Sequence, residues 1–125
     1  MFRYIVGAII LSVAVSVVAG TFNQQPQYKV YHMGAEWCVP CVKMKQTTWK
    51  DENLKKFMKD NGFELMYLDA DTESHKQFFK YYKVTKYPTL IILDKDNLEK
   101  PLSKTSGYKS AKDVKSILEK VRTEK

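Results

Sequence analysis

Apolar and polar positions divide the chain into one long apolar block and a series of short periodic segments. The block runs from Ile5 to Ala19, 15 residues without a charge, with Arg3 just ahead of it. It is shorter than the ~20 residues that span a bilayer comfortably. It fits the hydrophobic part of a secretory signal over residues 1–20, with small residues that permit cleavage after Ala19 or Gly20. Taken from Phe2 to Gly20, the same block could instead remain as a membrane anchor, with Arg3 snorkelling to the interface. Both alternatives leave Arg3 on the cytoplasmic side and export the rest, to the periplasm or another extracytoplasmic space. No cysteine stands directly after the block, which argues against a lipid-modified N-terminus.

After the block comes TFNQQPQ (21–27), polar and interrupted by Pro26. The linker is set at 21–28 and the folded domain at 29–125. YKVYHMG (28–34) alternates like a strand, with Tyr31 and Met33 on one face and Val30 and His32 on the other. From Cys38 onward the spacing is helical. Pro40 falls in the first turn, where a missing N–H costs nothing, and Met44, Lys45 and Thr48 share a face with Cys41. A second helical piece covers 49–62, with Leu54, Phe57 and Met58 as its stripe and Asn61-Gly62 as its end. FELMYLDAD (63–71) reads as strand then turn, and 73–82 as helix with Phe78, Phe79 and Tyr82 inward. TLIILD (89–94), after Pro88, is a near-continuous apolar run and the best central strand. LEKPL (98–102) is a weaker strand that Pro101 consigns to an edge. Gly107 marks a bend. Ser110 caps a last helix to about Arg122, with Val114, Ile117, Leu118 and Val121 on one face. The order β-α-α-β-α-β-β-α predicts an α/β fold with a mixed sheet of about four strands flanked by helices.

Charge adds little to this picture. Setting Arg3 aside leaves 20 Lys+Arg against 14 Asp+Glu, about +6 over the exported part. The lysines are dispersed among acids, as on a solvated surface. They form no dense patch or module of the kind that binds nucleic acid. Weak attraction to anionic membranes or acidic partners is compatible with this balance.

The two cysteines, Cys38 and Cys41, are the only ones in the chain. Haem attachment needs His after the second cysteine, and Val42 stands there. Zinc normally takes four ligands, and the only histidines, His32 and His75, have no ligand spacing to the pair. An inert disulfide would close a ring too small to restrain the unfolded chain much. Redox chemistry suits the spacing best. A helix N-terminus stabilises Cys38 as the nucleophilic thiolate, and Cys41, one turn on, can resolve the mixed disulfide that Cys38 forms.

Ala35-Glu36-Trp37-Cys38-Val39-Pro40-Cys41 resembles the active-site motif of thioredoxin-like proteins. Tyr87-Pro88-Thr89 resembles the family's cis-proline loop, and Gly107 stands where the family has a glycine facing the site. The resemblance spans about residues 29–122. The extra helical piece in KMKQTTWKDENLKKFM is similar to the C-terminal domain of transmembrane thiol:disulfide interchange reductases and to small exported thioredoxins. The first strand and helix of a full thioredoxin are missing, so a trimmed thioredoxin fold is expected.

The resemblance implies an exported thiol–disulfide oxidoreductase, more a reductase or interchange protein than an oxidase or isomerase. Its catalytic pair would be Cys38 and Cys41, with no metal or organic cofactor. Protein substrates would meet an apolar surface of Trp37, Val39 and Pro40. The Tyr87 backbone beside Pro88 would pair with an extended substrate segment. A separate redox partner would recycle the pair. Two positions depart from the family. The buried acid six residues before the first cysteine is His32 here, and the acid seven residues after it is Lys45. If charged, both would favour thiolates and a more oxidising protein. If His32 is a neutral core residue and Lys45 reaches solvent, they would not. Pro40 resembles the reducing members. The rival expectation is a binding module with incidental redox activity, which the loss of both acids motivates.

Overall fold

The computed structural model describes residues 25–124. The apolar block read as signal or anchor, and the first residues of the linker, lie outside the described residues. Among the described residues no helix is long and apolar enough to cross a membrane.

Four strands form one mixed sheet in the order β2-β1-β3-β4. They are β1 (Tyr28–Gly34), β2 (Phe63–Asp69), β3 (Thr89–Asp94) and β4 (Ser103–Ser106). β1 runs parallel to β2 and antiparallel to β3, and β3 is antiparallel to β4. The helices are α1 (Val39–Gln46), α2 (Glu52–Asp60), α3 (Lys76–Tyr81) and α4 (Ala111–Thr123). This is the element order expected from the pattern.

Strand alternation sends side chains to two cores. Val30, Leu90 and Ile92 pack with Met44 of α1, Leu54 and Met58 of α2, and Val114, Leu118 and Val121 of α4. Tyr31, Met33, Ile91 and Leu93 pack on the opposite face with Phe79 and Tyr82 from the α3 segment. Each fully buried aliphatic or aromatic side chain contributes about 1.5–3 kcal/mol. The paired central strands β1 and β3 therefore anchor everything around them. Their upper ends, Gly34 and Thr89, are register neighbours within one residue of each other, since Met33 pairs Thr89. That register brings the two segments singled out in the sequence to the same end of the sheet.

Two boundaries differ from expectation. The edge strand lies at Ser103–Ser106, not at 98–102. The Leu98 carbonyl is turned to accept from the Tyr82 hydroxyl at 2.7 Å, Pro101 has no N–H to give, and pairing starts only at Leu102 N–H to the Ile92 carbonyl, 2.8 Å. The second helix starts at Glu52, because the Asp51 side chain accepts from Leu54 N–H at 2.8 Å and so caps it. Thr48–Lys50 is a separate 3-10 turn that buries Thr48 and Trp49.

Candidate active site

β1 ends at Gly34 and a short loop, Ala35–Trp37, turns the chain into α1. Cys38 N–H donates to the Ala35 carbonyl at 3.1 Å. Cys38 is the N-cap of α1: its backbone is extended, and its Sγ accepts from Cys41 N–H at 3.4 Å. Pro40 sits within the first turn, where its absent N–H has no partner to lose. Cys38 and Cys41 form a disulfide with their Cα atoms 5.2 Å apart. Both sulfurs lie in a small apolar cluster with Ala35, flanked by Ala70 and Tyr87. Cys41 is the deeper of the two, 1% exposed against 6% for Cys38.

Gly34 makes this depth possible. A Cβ at residue 34 would stand 2.7 Å from the Cys41 Sγ, closer than any real contact allows. In the sequence pattern Gly34 is only a strand end. Its signal was a glycine a few residues before a close cysteine pair, which backbone approach explains.

The second wall is the loop before β3. The Tyr87–Pro88 peptide bond is cis. The Pro88 carbonyl accepts from Gly107 N–H at 2.8 Å, and Gly107 holds a positive φ of 96° that suits glycine. Thr89 Oγ1 donates to the Lys86 carbonyl at 2.6 Å and lies 3.0 Å from Ser106 Oγ. These bonds fasten the loop to β4 and hold Tyr87 against the cysteines.

Trp37 and Val39 stand out from the site, 66% and 77% exposed. Trp37 is not loose. Its Nε1–H donates to Asp71 Oδ2 at 2.8 Å, and its ring meets that of Tyr87 edge-on at 5.9 Å. Asp71 is in turn placed by its own N–H donating to Asp69 Oδ1 at 2.8 Å. Asp71 went unnoticed in the sequence, where it was one acid in a turn. Trp37, Cys38, Val39, Pro40, Tyr87 and Pro88 thus share one end of the sheet.

His32 lies beneath that surface, 1% exposed. Its ring is packed edge-on against Trp49 at 5.9 Å and Tyr67 at 5.5 Å. Neither imidazole nitrogen has a hydrogen-bond partner, nor does Trp49 Nε1. Burial, reinforced by the positive charge of Lys45, pushes the His32 pKa down to about 4. His32 is therefore neutral at physiological pH while the disulfide is intact. Lys45 does not join the cysteines. Its Nζ lies 5.0 Å over the Tyr67 ring, a cation–π contact at the edge of the fold. His75, the other histidine, accepts from Asp69 N–H through Nδ1 at 3.0 Å and finishes the end of β2.

A wider apolar groove of about 500 Å³ runs along α2 and β2, lined by Trp49, Leu54, Met58, Phe63 and Leu65 among others. Neither cysteine lines it. Beside the cysteines lies a smaller groove formed by Glu36, Trp37, Val39, Val42, Lys43 and Gln46.

Comparison with known proteins agrees with this geometry. A family profile described as "Thioredoxin-like domain" matches residues 17–122. The thiol:disulfide interchange protein DsbD of Yersinia enterocolitica is 26% identical over 77 residues, which cover 62% of this chain and 13% of that protein. DsbD of Pectobacterium atrosepticum is 24% identical over 97 residues, 78% of this chain and 17% of that protein. The chain thus spans less than a fifth of the length of these relatives. Among solved structures, the reduced C-terminal domain of Neisseria meningitidis DsbD superposes with a TM-score of 0.62 at 18% identity, covering 79% of this chain and 84% of that one. A thioredoxin-fold protein from Helicobacter pylori gives a TM-score of 0.64 at 18% identity, covering 76% and 70%.

Proposed function

Because the chain belongs to the thioredoxin-like domain family, we propose that it is an exported thiol–disulfide oxidoreductase acting on protein substrates, working as a reductase or interchange protein. The observation that carries this reading is the Cys38–Cys41 disulfide at the start of α1, walled by the cis Tyr87–Pro88 bond. In the reduced protein, the Cys38 thiolate attacks a substrate disulfide. One substrate sulfur leaves as a thiolate and takes up a proton, and a mixed disulfide joins Cys38 to the other. Cys41, deprotonated, then attacks the Cys38 sulfur. The second substrate thiolate leaves, and the chain holds the disulfide. Two electrons pass to the substrate, so a recycling redox partner must return them.

The α1 amides favour the Cys38 thiolate, as the Cys41 N–H contact to its sulfur illustrates. Trp37, Val39 and Pro40 offer apolar contact, and the Tyr87 backbone offers strand-like pairing. His32, neutral, adds no positive charge at the sulfurs, and the Lys45 ammonium is turned to the Tyr67 ring. With that source of thiolate stabilisation absent, the reducing direction is favoured. Residues 1–20 deliver the domain across a membrane, as a cleaved signal or a retained anchor, and the polar stretch after them leads to the domain, which begins at Tyr28 of β1 rather than at residue 29.

The test is the reduction potential of the pair, read by equilibrating the protein in defined thiol/disulfide buffers and alkylating free thiols. A value near −270 mV, about that of thioredoxin, is expected. A value near −120 mV, about that of a strong periplasmic oxidant, would reverse the direction. Failure to form the disulfide at any poise would leave a binding module. Cys38→Ser discriminates in the same sense: it abolishes an oxidoreductase and spares a binding module.

A further inference from the structure

The bend that carries Gly107 is laid along α1. Gly107 N–H reaches the Pro88 carbonyl at 2.8 Å. Tyr108 has Lys43 Nζ 4.6 Å over its ring, and its hydroxyl lies 3.4 Å from Thr47 Oγ1. The Lys109 carbonyl accepts from Thr48 Oγ1 at 2.6 Å. Three consecutive residues of the bend thus meet, in order, the cis-proline loop, the side of α1 and the 3-10 turn that follows it. The bend is also closed on itself, since Lys109 Nζ donates to the Ser106 carbonyl at 2.9 Å.

The Thr48 contact differs from its neighbours. Lys43, Thr47 and Tyr108 are exposed, and water competes for what they make. Thr48 is buried, 1% exposed. A hydroxyl taken out of water costs free energy unless it is hydrogen-bonded, and the Lys109 carbonyl supplies that bond. Valine would fill the same space without the cost, so packing alone does not call for the hydroxyl. The bonds from Thr89 to the Lys86 carbonyl and to Ser106 fasten the cis-proline loop to β4, and neither reaches the helix that carries the cysteines. The Thr48 bond joins that helix, through Lys109 and Gly107, to the Pro88 carbonyl.

We infer that Thr48 is a positioning residue for substrate recognition: it holds the Pro88 wall at its spacing from α1, and so governs the reception of an extended protein segment without acting on the cysteines. The inference rests on the oxidoreductase reading and adds a residue to it. A substrate segment must pair with the Tyr87 backbone while its sulfur lies in line with Cys38 Sγ. Both demands are met together only at one spacing of wall and helix. A small disulfide has no backbone to pair and meets only the second.

The test follows single turnovers of the reduced protein with two oxidants, a peptide whose disulfide lies in an extended segment and hydroxyethyl disulfide. In Thr48→Val the rate with the peptide is expected to fall about tenfold, within the ~100-fold that a ~1 Å misplacement can cost. The rate with hydroxyethyl disulfide and the reduction potential of the pair should stay as they are. Thr48→Ser, which keeps the hydroxyl, should restore the peptide rate, and Gly107 N–H should exchange faster with solvent in the valine variant only. Should Thr48→Val not fold, Thr48→Ala takes its place in the same comparison. An unchanged peptide rate, an equal loss with both oxidants, or a serine variant as slow as the valine one overturns the inference and leaves the oxidoreductase reading in place. Reduction of neither disulfide by the unaltered protein overturns that reading instead.

Discussion

His32 shows how much one residue's environment decides. From the sequence alone it could have been a charged modulator or a neutral core side chain. Burial among Trp49, Tyr67 and the β1 backbone makes it neutral, with a pKa of about 4 in the folded state. An unfolded chain returns it to about 6.5. Between those values the unfolded state binds the extra proton, so stability rises with pH across the window. The contribution is complete above about pH 6.5 and is lost as pH falls toward 4, about 3 kcal/mol in all. Urea unfolding of the oxidised protein at pH 7.5, 6 and 5 should show that decline. In His32→Leu, which carries no titrating group, the His32 share of the slope should vanish. An unchanged slope would mean that some other group titrates. The neighbouring nitrogens add a second consequence. His32 and Trp49 both bury polar atoms without partners, an arrangement that costs about 1–3 kcal/mol per unsatisfied group. Leucine at residue 32 should therefore be tolerated at neutral pH better than most core substitutions.

The elements that the sequence made legible are those whose side chains report their surroundings. β1 and β3 alternate or fill with apolar residues because both faces of the sheet are covered. α4 announces its start with Ser110 and its packed face with Val114, Leu118 and Val121. β4 is not legible in the pattern, because SKTS has no apolar alternation. Its pairing with β3 is made by the backbone and one edge, which composition does not record. The site divides the same way. The cysteine pair and Pro88 were legible as a motif. Gly34 and Asp71 were not, because their roles depend on which sulfur and which indole the fold brings to them. α4 also permits a test of its cap. Ser110 Oγ accepts from Asp113 N–H at 3.1 Å, and Asp113 returns a bond to Ser110 N–H at 3.2 Å. Ser110→Ala should lower stability by about 1 kcal/mol, within the 0.5–2 range of such caps. Urea denaturation reads this directly as a lower midpoint at unchanged slope. A loss well above that range would mean that Ser110 also supports the Gly107–Lys109 bend.

At the scale of the whole molecule, redox state and folding are linked by a thermodynamic cycle. The difference in folding free energy between oxidised and reduced protein equals the difference in reduction free energy between the unfolded and folded pair. For this two-electron couple about 30 mV corresponds to 1.4 kcal/mol. A strong oxidant is one whose fold prefers the reduced form, through a stabilised thiolate. Here the sources of that preference are limited. The α1 amides remain, but His32 is neutral, and Lys45 rests on Tyr67. Against them stands a disulfide sealed in an apolar cluster, with Cys41 1% exposed and backed by a glycine that leaves room for its sulfur. Reducing it places a second ionisable thiol in that cluster, where burial disfavours charge. The folded state should therefore favour the disulfide, and the oxidised protein should unfold at higher urea than the reduced one at pH 7. Parallel denaturation with and without excess dithiothreitol makes the comparison, with the slope checked for change. The opposite ordering, a reduced protein that outlasts the oxidised one, would show that the fold stabilises the Cys38 thiolate strongly. The chain would then donate disulfides and not remove them.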